Sequence, residues 1–115
     1  MFILKQKPTY LWPVSVKLPK DGGSYEKHTF DIEFKKLTQE RLKEINQAIQ
    51  AENSEMTDAV LSHEIILGWK GIAGDDGNEL PFSKGNLDAL LNIPTVAGAI
   101  IEAFFQSIAG AKRKN

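Results

Sequence analysis

The sequence contains no cysteine, which excludes disulfide bonds, thiolate metal ligands and thiol nucleophiles. It has only two histidines, His28 and His63, and they do not form the His-x-x-x-His spacing that places two metal ligands on one helix face. The longest uncharged stretch, residues 89–101, is interrupted by Asn92 and Pro94. It is shorter than the roughly 20 residues that cross a bilayer. These absences favour a soluble protein with no metal and no membrane partner.

No charge of one sign dominates, because 14 basic residues stand against 15 acidic ones. Nucleic-acid-binding proteins gain affinity by neutralising several phosphates, so a net charge of −1 argues against this class and predicts no nucleic-acid partner. The signs do change along the chain. Residues 1–50 carry +3, residues 51–100 carry −6 and residues 101–115 carry +2. Such alternation favours contacts between copies of the chain.

Groups that carry out catalysis do not occur at matched spacings in this sequence. The acidic run from Asp75 to Glu79 lacks the alternating ligands and the final glutamate of a calcium loop. The segment from Gly68 to Gly71 lacks the spacing of a phosphate-binding loop, and no serine stands in a G-x-S-x-G turn. The sequence therefore predicts a protein that is not an enzyme and uses no cofactor.

The length of 115 residues predicts a single domain over residues 1–115, and its first 36 residues have the period of two strands. Pro13 cannot donate a ladder hydrogen bond, which places the first strand at a sheet edge or starts it there. Gly22 and Gly23 supply a turn between the strands. One face of this hairpin is apolar and aromatic, with Trp12, Val14, Val16, Leu18, His28, Phe30, Ile32 and Phe34.

Residues 37–110 have a helical period, and the fold class is therefore α+β: an N-terminal β-hairpin packed on about four helices. Thr38 is a candidate N-cap for a helix whose apolar stripe is Leu42, Ile45 and Ile49. A second helix, capped by Ser54 or Thr57, is predicted to reach about residue 67 and to end at Gly68. Its apolar residues, which predict deep burial, are Val60, Leu61, Ile65, Ile66 and Leu67.

Ser83 is the candidate N-cap of a third, short helix, and Pro94 is placed at the first position of the last one. Gly110 is the expected C-cap, and residues 111–115 are predicted to be a mobile tail. The last helix has more apolar residues than one stripe can bury, so part of it is expected to bind a partner. The predicted partner-binding residues are Ile101, Phe104, Phe105 and Ile108.

Residues 67–107 resemble the tail assembly chaperones of long-tailed bacteriophages. In that family a W-x-G element precedes a D-G-x-x-[LV]-P-[FY]-S segment, an L-L-x-[IV]-P element and a helix with paired aromatics. The hairpin is also similar to the family's N-terminal region. The matching motif residues are Trp69, Gly71, Asp76, Gly77, Leu80, Pro81, Phe82, Ser83 and Pro94. Trp69 and Phe82 bracket a glycine-rich loop and are expected to pack together.

The resemblance implies a non-enzymatic protein that binds the phage tape measure protein, keeps it from aggregating during tail assembly and is absent from the mature virion. It places the protein in the cytoplasm of the infected host. The alternating charge and the apolar last helix, for their part, predict self-association. Many members also have a longer form made by ribosomal frameshifting, and Arg113, Lys114 and Asn115 are compatible with such a site. The alternatives are a structural tail completion or connector protein and a small regulatory nucleic-acid-binding domain.

Overall fold

The computed structural model describes residues 1–52 and 54–110 and confirms the α+β class. The predicted tail, residues 111–115, lies outside the described residues. The three strands form one antiparallel sheet in the order β1-β2-β3. The elements are β1 (Thr9–Lys20), β2 (Ser24–Lys35), α1 (Gln39–Gln50), α2 (Asp58–Ile65), β3 (Ile66–Lys70), α3 (Lys84–Leu91) and α4 (Val96–Ala109).

The predicted hairpin is confirmed, and its alternation explains which face is buried. Val14 on β1 lies opposite Phe30 on β2, and both side chains enter the core. The turn between the strands uses positive φ angles at Gly22 and Gly23, a conformation that costs glycine little. Pro13 lies on β1, which is an edge strand, so its missing N–H interrupts no ladder between two neighbours.

The core lies between the apolar face of the sheet and the helices. α4 packs against β1, and α2 packs against α4. The buried apolar residues are Val14, Val16, Phe30, Ile32, Phe34, Ile45, Leu61, Ile65, Ile66, Trp69, Leu87, Val96, Ile100, Ala103 and Phe104. Since these come from all seven elements, the hairpin and the helices share one core, as a hairpin too small to be stable alone requires.

Three of the helix starts were predicted correctly from capping chemistry. The hydroxyls of Thr38, Thr57 and Ser83 each accept a hydrogen bond from the backbone N–H three residues later. These bonds satisfy donors that the first turn of a helix leaves without a partner. At the other end of the helical region, Gly110 is the C-cap of α4, as predicted.

The predicted extent of the second helix was wrong, because α2 ends at Ile65 and β3 follows directly. Trp69 pairs with Ile32, and Ile66 pairs with Phe34 across a bulge. The free edge of β2 offers hydrogen bonds that a continued helix would leave unused. Gly68 lies inside the strand instead of ending a helix, and the Glu33 side chain passes over it: a Cβ there would lie 2.6 Å from Glu33 Oε1.

Three side chains that were expected to be buried are exposed. Val60 faces solvent because α2 buries Leu61, Ser62 and Ile65 and leaves its other sides open. Leu67 lies on β3 and not on the helix, and its side chain is exposed while that of the preceding Ile66 is buried. On α1, only Ile45 of the predicted stripe is fully buried. Ile49 is 46% exposed in the last turn of that helix.

Pro94 does not occupy the first position of α4, which begins at Val96. The Val96 N–H donates to the Ile93 carbonyl, and Thr95 has φ 75° and ψ −16°. These angles are those of the third residue of a type II turn, in which proline is common at the second position. Pro94 therefore sets a turn between α3 and α4, and a β-branched residue is held at positive φ.

The strain at Thr95 leads to a stability prediction. A non-glycine residue at left-handed φ costs about 1–2 kcal/mol, while glycine adds roughly 0.5–1 kcal/mol of unfolded-state entropy. Thr95→Gly is therefore expected to raise the free energy of unfolding by about 0.5–1 kcal/mol, measured by urea denaturation. Thr95→Ser keeps the hydroxyl that contacts the Lys17 carbonyl at 3.4 Å. A loss of stability in the glycine variant alone would show that this contact outweighs the strain.

An ion pair joins α1 to α2. Arg41 Nε and Nη2 each donate to a Glu64 carboxylate oxygen at 2.7 Å, and Arg41 Nη1 donates to Glu44 at 3.0 Å. The Arg41 hydrogen bonds lower the pKa of Glu64, and partial burial opposes this. The bidentate geometry makes this contact between the two helices directional.

We expect Glu64→Gln to destabilise the protein at neutral pH and to have little effect in acid. Because the folded-state pKa of Glu64 is depressed, its contribution is present above the unfolded-state pKa of about 4.3. It is lost as the pH falls through the lower, folded-state value. Melting temperatures of both proteins from pH 7 down to pH 3 should therefore converge. Glu44→Gln is the matched control and should cost less, since Glu44 is more exposed. A pH-independent difference would rule out the ion pair as its cause.

Candidate protein-binding surface

The ionisable side chains of the described residues form the Arg41 cluster with Glu44 and Glu64 and otherwise small, separate pairs. No group of three His, Asp or Glu side chains that could hold a metal occurs in residues 1–52 and 54–110. His63 Nε2 lies 2.5 Å from Asp88 Oδ1, and His28 Nε2 lies 3.3 Å from Glu26 Oε1. Ser62 is fully buried, so its hydroxyl does not share a cleft with the neighbouring His63. The more extensive surface feature is apolar.

Helix α4 has two apolar sides that differ in exposure. Its inner side is buried against the sheet and α2, and consists of Val96, Ile100, Ala103 and Phe104. A second row follows the helical spacing i, i+4, i+8, i+11 and forms a continuous side of the helix. This row, here named the α4 flank, consists of Ala97, Ile101, Phe105 and Ile108. Ile101 and Phe105 are half-buried, and Ile108 is 45% exposed.

Phe104, which was predicted to bind a partner, is buried and does not lie on the exposed surface of the helix. Phe104 is 1% exposed, and its ring lies 5.3 Å from that of Phe34, edge to face. Consecutive helical residues point about 100° apart, so only one of the two adjacent aromatics can face the sheet. Phe104 takes that position, and Phe105 takes the flank. The other predicted residues, Ile101, Phe105 and Ile108, lie together on the flank.

A groove opens where the C-terminal end of α4 meets the hairpin and α1. It has a volume of about 370 Å³. This α4–hairpin groove is lined by Tyr10, Trp12, Lys35, Lys36, Leu37, Leu42, Phe104, Ser107 and Ile108. Ile108 belongs to both the groove and the flank, so the two apolar surfaces are continuous. Sequence reasoning missed Tyr10 and Leu37, although the strand alternation places Tyr10 on the same face as Trp12.

The polar groups of the groove lie at its base and its rim. Ser107 Oγ donates to the Phe104 carbonyl at 2.6 Å, and the Tyr10 hydroxyl lies 2.6 Å from Ser107 Oγ, to which it donates. Burial raises the pKa of Tyr10, and the Ser107 hydrogen bond only partly offsets this. Lys35 and Lys36 line the same groove with basic groups. Such a groove suits apolar side chains that have acidic neighbours.

The glycine-rich loop after β3 is fixed by Trp69, as predicted. The Trp69 and Phe82 rings lie 5.1 Å apart in an edge-to-face arrangement. Trp69 Nε1 also donates to the Leu80 carbonyl at 2.7 Å, and the Leu80 side chain packs on the core. The loop is therefore held from both ends by one side chain. Gly71, at φ 87°, allows the chain to leave β3 beside Phe30.

The remaining motif residues build turns. Asp76 accepts hydrogen bonds from the backbone N–H and side-chain amide of Asn78, and these bonds lower the pKa of Asp76. Gly77 takes φ 80° inside this turn. The Pro81 carbonyl accepts from Asn86 Nδ2, which ties the loop to α3 just after its Ser83 cap. The motif residues therefore determine the conformation of the loop, and the Asp76 carboxylate is hydrogen-bonded within the turn.

No single helix within residues 1–52 and 54–110 is long and apolar enough to cross a bilayer. α3 and α4 together have sufficient length and composition, but they meet at a bend of 103°.

The sequence from residue 25 to residue 113 matches a family model described as YdaY prophage protein. The match covers more than three quarters of the chain, including nearly all of β2, the glycine-rich loop and the α4 flank. No curated protein and no solved structure matches the chain significantly. The chain therefore belongs to the YdaY prophage protein family.

Proposed function

We propose that this prophage protein is a tail assembly chaperone that binds apolar helical segments of the phage tape measure protein. It holds this client in the cytoplasm of the infected cell until tail tube subunits assemble around it, and it is absent from the finished particle. The observation that carries the proposal is the open apolar groove, continuous with the α4 flank through Ile108.

The shape of this surface supports a helical client. An amphipathic helix presents apolar side chains at i, i+3, i+4 and i+7, and a groove between packed elements accepts such a row. The α4 flank supplies a parallel row of apolar side chains beside the groove. Lys35 and Lys36 complement acidic residues that border the apolar row of a client. Binding of this type is reversible and requires no covalent step.

The sequence supports the phage tail context. The chain is a prophage protein, and residues 67–107 contain the ordered motifs that resemble tail assembly chaperones. The structure assigns these motif residues to turns, caps and one tryptophan-centred loop. These motif residues therefore stabilise the fold. The proposed client-binding surface is formed by α4 and the elements next to it.

We expect Ile108→Asp to weaken binding to the tape measure protein by about tenfold to a hundredfold, because burial of an isoleucine side chain is worth roughly 1.5–3 kcal/mol. The measurement is isothermal titration calorimetry or co-purification with the co-expressed client. Ile49→Asp is the matched control: Ile49 is 46% exposed and also lies in the last turn of a helix, but away from the groove. Circular dichroism should show both variants folded.

Equal binding by the wild type and both variants would contradict the assignment of the groove. Absence of any binding to the tape measure protein would contradict the chaperone proposal itself. Mass spectrometry of purified particles tests the structural alternative, since a tail completion or connector protein remains in the virion. A chaperone is expected in infected-cell lysates and not in particles.

A further inference from the structure

The N-terminal segment places four large apolar side chains in solvent. Residues 1–4 form no secondary structure, and Phe2, Ile3 and Leu4 are 81%, 68% and 90% exposed. Scattered apolar residues on a surface are ordinary, but a continuous apolar segment marks a binding element. We name residues 1–7 the N-terminal arm.

The C-terminal end of this arm is attached to Lys36, beside the α4–hairpin groove. The Lys36 N–H donates to the Pro8 carbonyl at 2.9 Å, and Lys36 Nζ donates to Gln6 Oε1 at 3.4 Å. Lys36 itself lines the groove. Lys7 precedes a proline, which restricts its backbone to extended conformations. Nearer its end, Gln6 Nε2 donates to the Ile3 carbonyl at 2.5 Å, and none of residues 1–7 lines the groove of its own chain. The arm is therefore attached beside its own groove without entering it.

We propose that the apolar end of the arm of one copy docks in the α4–hairpin groove of a second copy. Seven extended residues reach at most about 25 Å, which is sufficient to cross between two chains that meet at their groove ends. A two-fold arrangement makes this exchange reciprocal, so that two arms and two grooves are covered together. The groove volume of about 370 Å³ accommodates a small number of apolar side chains, such as those at the end of the arm.

The charges around the site give this exchange a characteristic salt dependence. Lys5 and Lys7 on the arm approach Lys35 and Lys36 at the groove of the other copy. Like charges repel, and added salt screens them. Self-association through the arm therefore becomes stronger as the salt concentration rises, whereas an association based on opposite charges becomes weaker. The inference concerns the same groove that the proposed function assigns to the client, but it does not rest on that function, because it involves no client.

The absence of native cysteine allows a clean cross-linking experiment. A Phe2→Cys variant is mixed with an Ile108→Cys variant under mild oxidation, and the disulfide-linked heterodimer is quantified by non-reducing electrophoresis and mass spectrometry. The control pairs Phe2→Cys with Ile49→Cys, a position of the same residue type and similar exposure outside the groove. The heterodimer is expected with Ile108→Cys in clear excess over the control.

Equal or absent cross-linking in the two mixtures would overturn the proposal. So would a predominantly intrachain disulfide in the Phe2→Cys/Ile108→Cys double variant, because the arm would then occupy its own groove. Analytical ultracentrifugation provides a second measurement: deletion of residues 2–4 should raise the dimer dissociation constant by about tenfold or more. An unchanged constant would also overturn the proposal. All of these measurements are made without the tape measure protein, so their failure leaves the chaperone proposal intact.

Discussion

Phe104→Ala is expected to lower the free energy of unfolding by about 3–5 kcal/mol, the usual cost of removing a buried phenylalanine. The side chain is 1% exposed beside the α4–hairpin groove, and its ring packs edge to face on Phe34, which in turn contacts the ring of Tyr10. The cavity would lie between the hairpin and α4, where little backbone movement can fill it. A domain of this size has about 5–15 kcal/mol of stability, so the variant should be close to unfolding at 37 °C.

Urea denaturation followed by circular dichroism measures this effect, and Phe105→Ala is the control. Phe105 is adjacent in sequence but lies half-exposed on the α4 flank, so its removal should cost less than half as much. The same variant should retain its fold and weaken partner binding. A larger loss of stability from Phe105→Ala than from Phe104→Ala would contradict the helical phase described above.

Trp69→Ala is the second substitution with a large expected effect, a loss of about 3–5 kcal/mol. Trp69 is 7% exposed, fills the space between β3 and Phe82, and donates the hydrogen bond that holds Leu80. Removing it leaves the Leu80 carbonyl without its donor and detaches the loop from the sheet. Hydrogen exchange should therefore increase first in residues 71–82, and then throughout the domain as global stability falls.

Trp69→Phe separates packing from hydrogen bonding. The phenylalanine keeps an aromatic contact with Phe82 but has no N–H, so a loss of about 1–2 kcal/mol is expected. Phe82→Ala should cost less than Trp69→Ala, because Phe82 is 37% exposed. Equal stability of the phenylalanine variant and the wild type would mean that water replaces the indole donor at the Leu80 carbonyl.

Features that depend on short stretches of sequence were predictable. The alternation of Trp12, Val14 and Val16 identified the hairpin because side-chain direction in a strand has a period of two. The hydroxyls of Thr38 and Ser83 marked helix starts because a cap satisfies donors only three residues away. In both cases the physical cause lies within a few residues of its effect.

Features that depend on distant residues were not predictable in this way. Residues 66–70 become a strand because the edge of β2 is available for pairing, and that edge is more than thirty residues earlier in the chain. The choice between Phe104 and Phe105 as the core residue depends on how α4 is rotated against β1. The local sequence predicted that a helix starts at Pro94. In the structure Pro94 lies in the turn closed by the Val96 N–H and the Ile93 carbonyl, and α4 begins only at Val96.

The candidate site was predicted only in part, for the same reason. Ile101, Phe105 and Ile108 lie on one helix, and their exposure followed from an excess of apolar residues in it. The groove also requires Tyr10 from β1 and Leu37 and Leu42 from the segment after β2. No local sequence pattern predicts that β1, the segment after β2 and the end of α4 lie next to one another.

Helix α1 lines this groove through Leu42 and is only lightly attached to the rest of the domain. α1 makes few close backbone approaches to the other elements, and it is attached mainly by Ile45, Leu42 and the Arg41–Glu64 ion pair. An element with so few contacts opens locally at a lower free energy than the rest of the domain. We therefore expect α1 to open more readily than the other elements and the groove to widen when it does. An occupant too large for the closed groove would then bind with its intrinsic association constant multiplied by the fraction of molecules in which α1 is open.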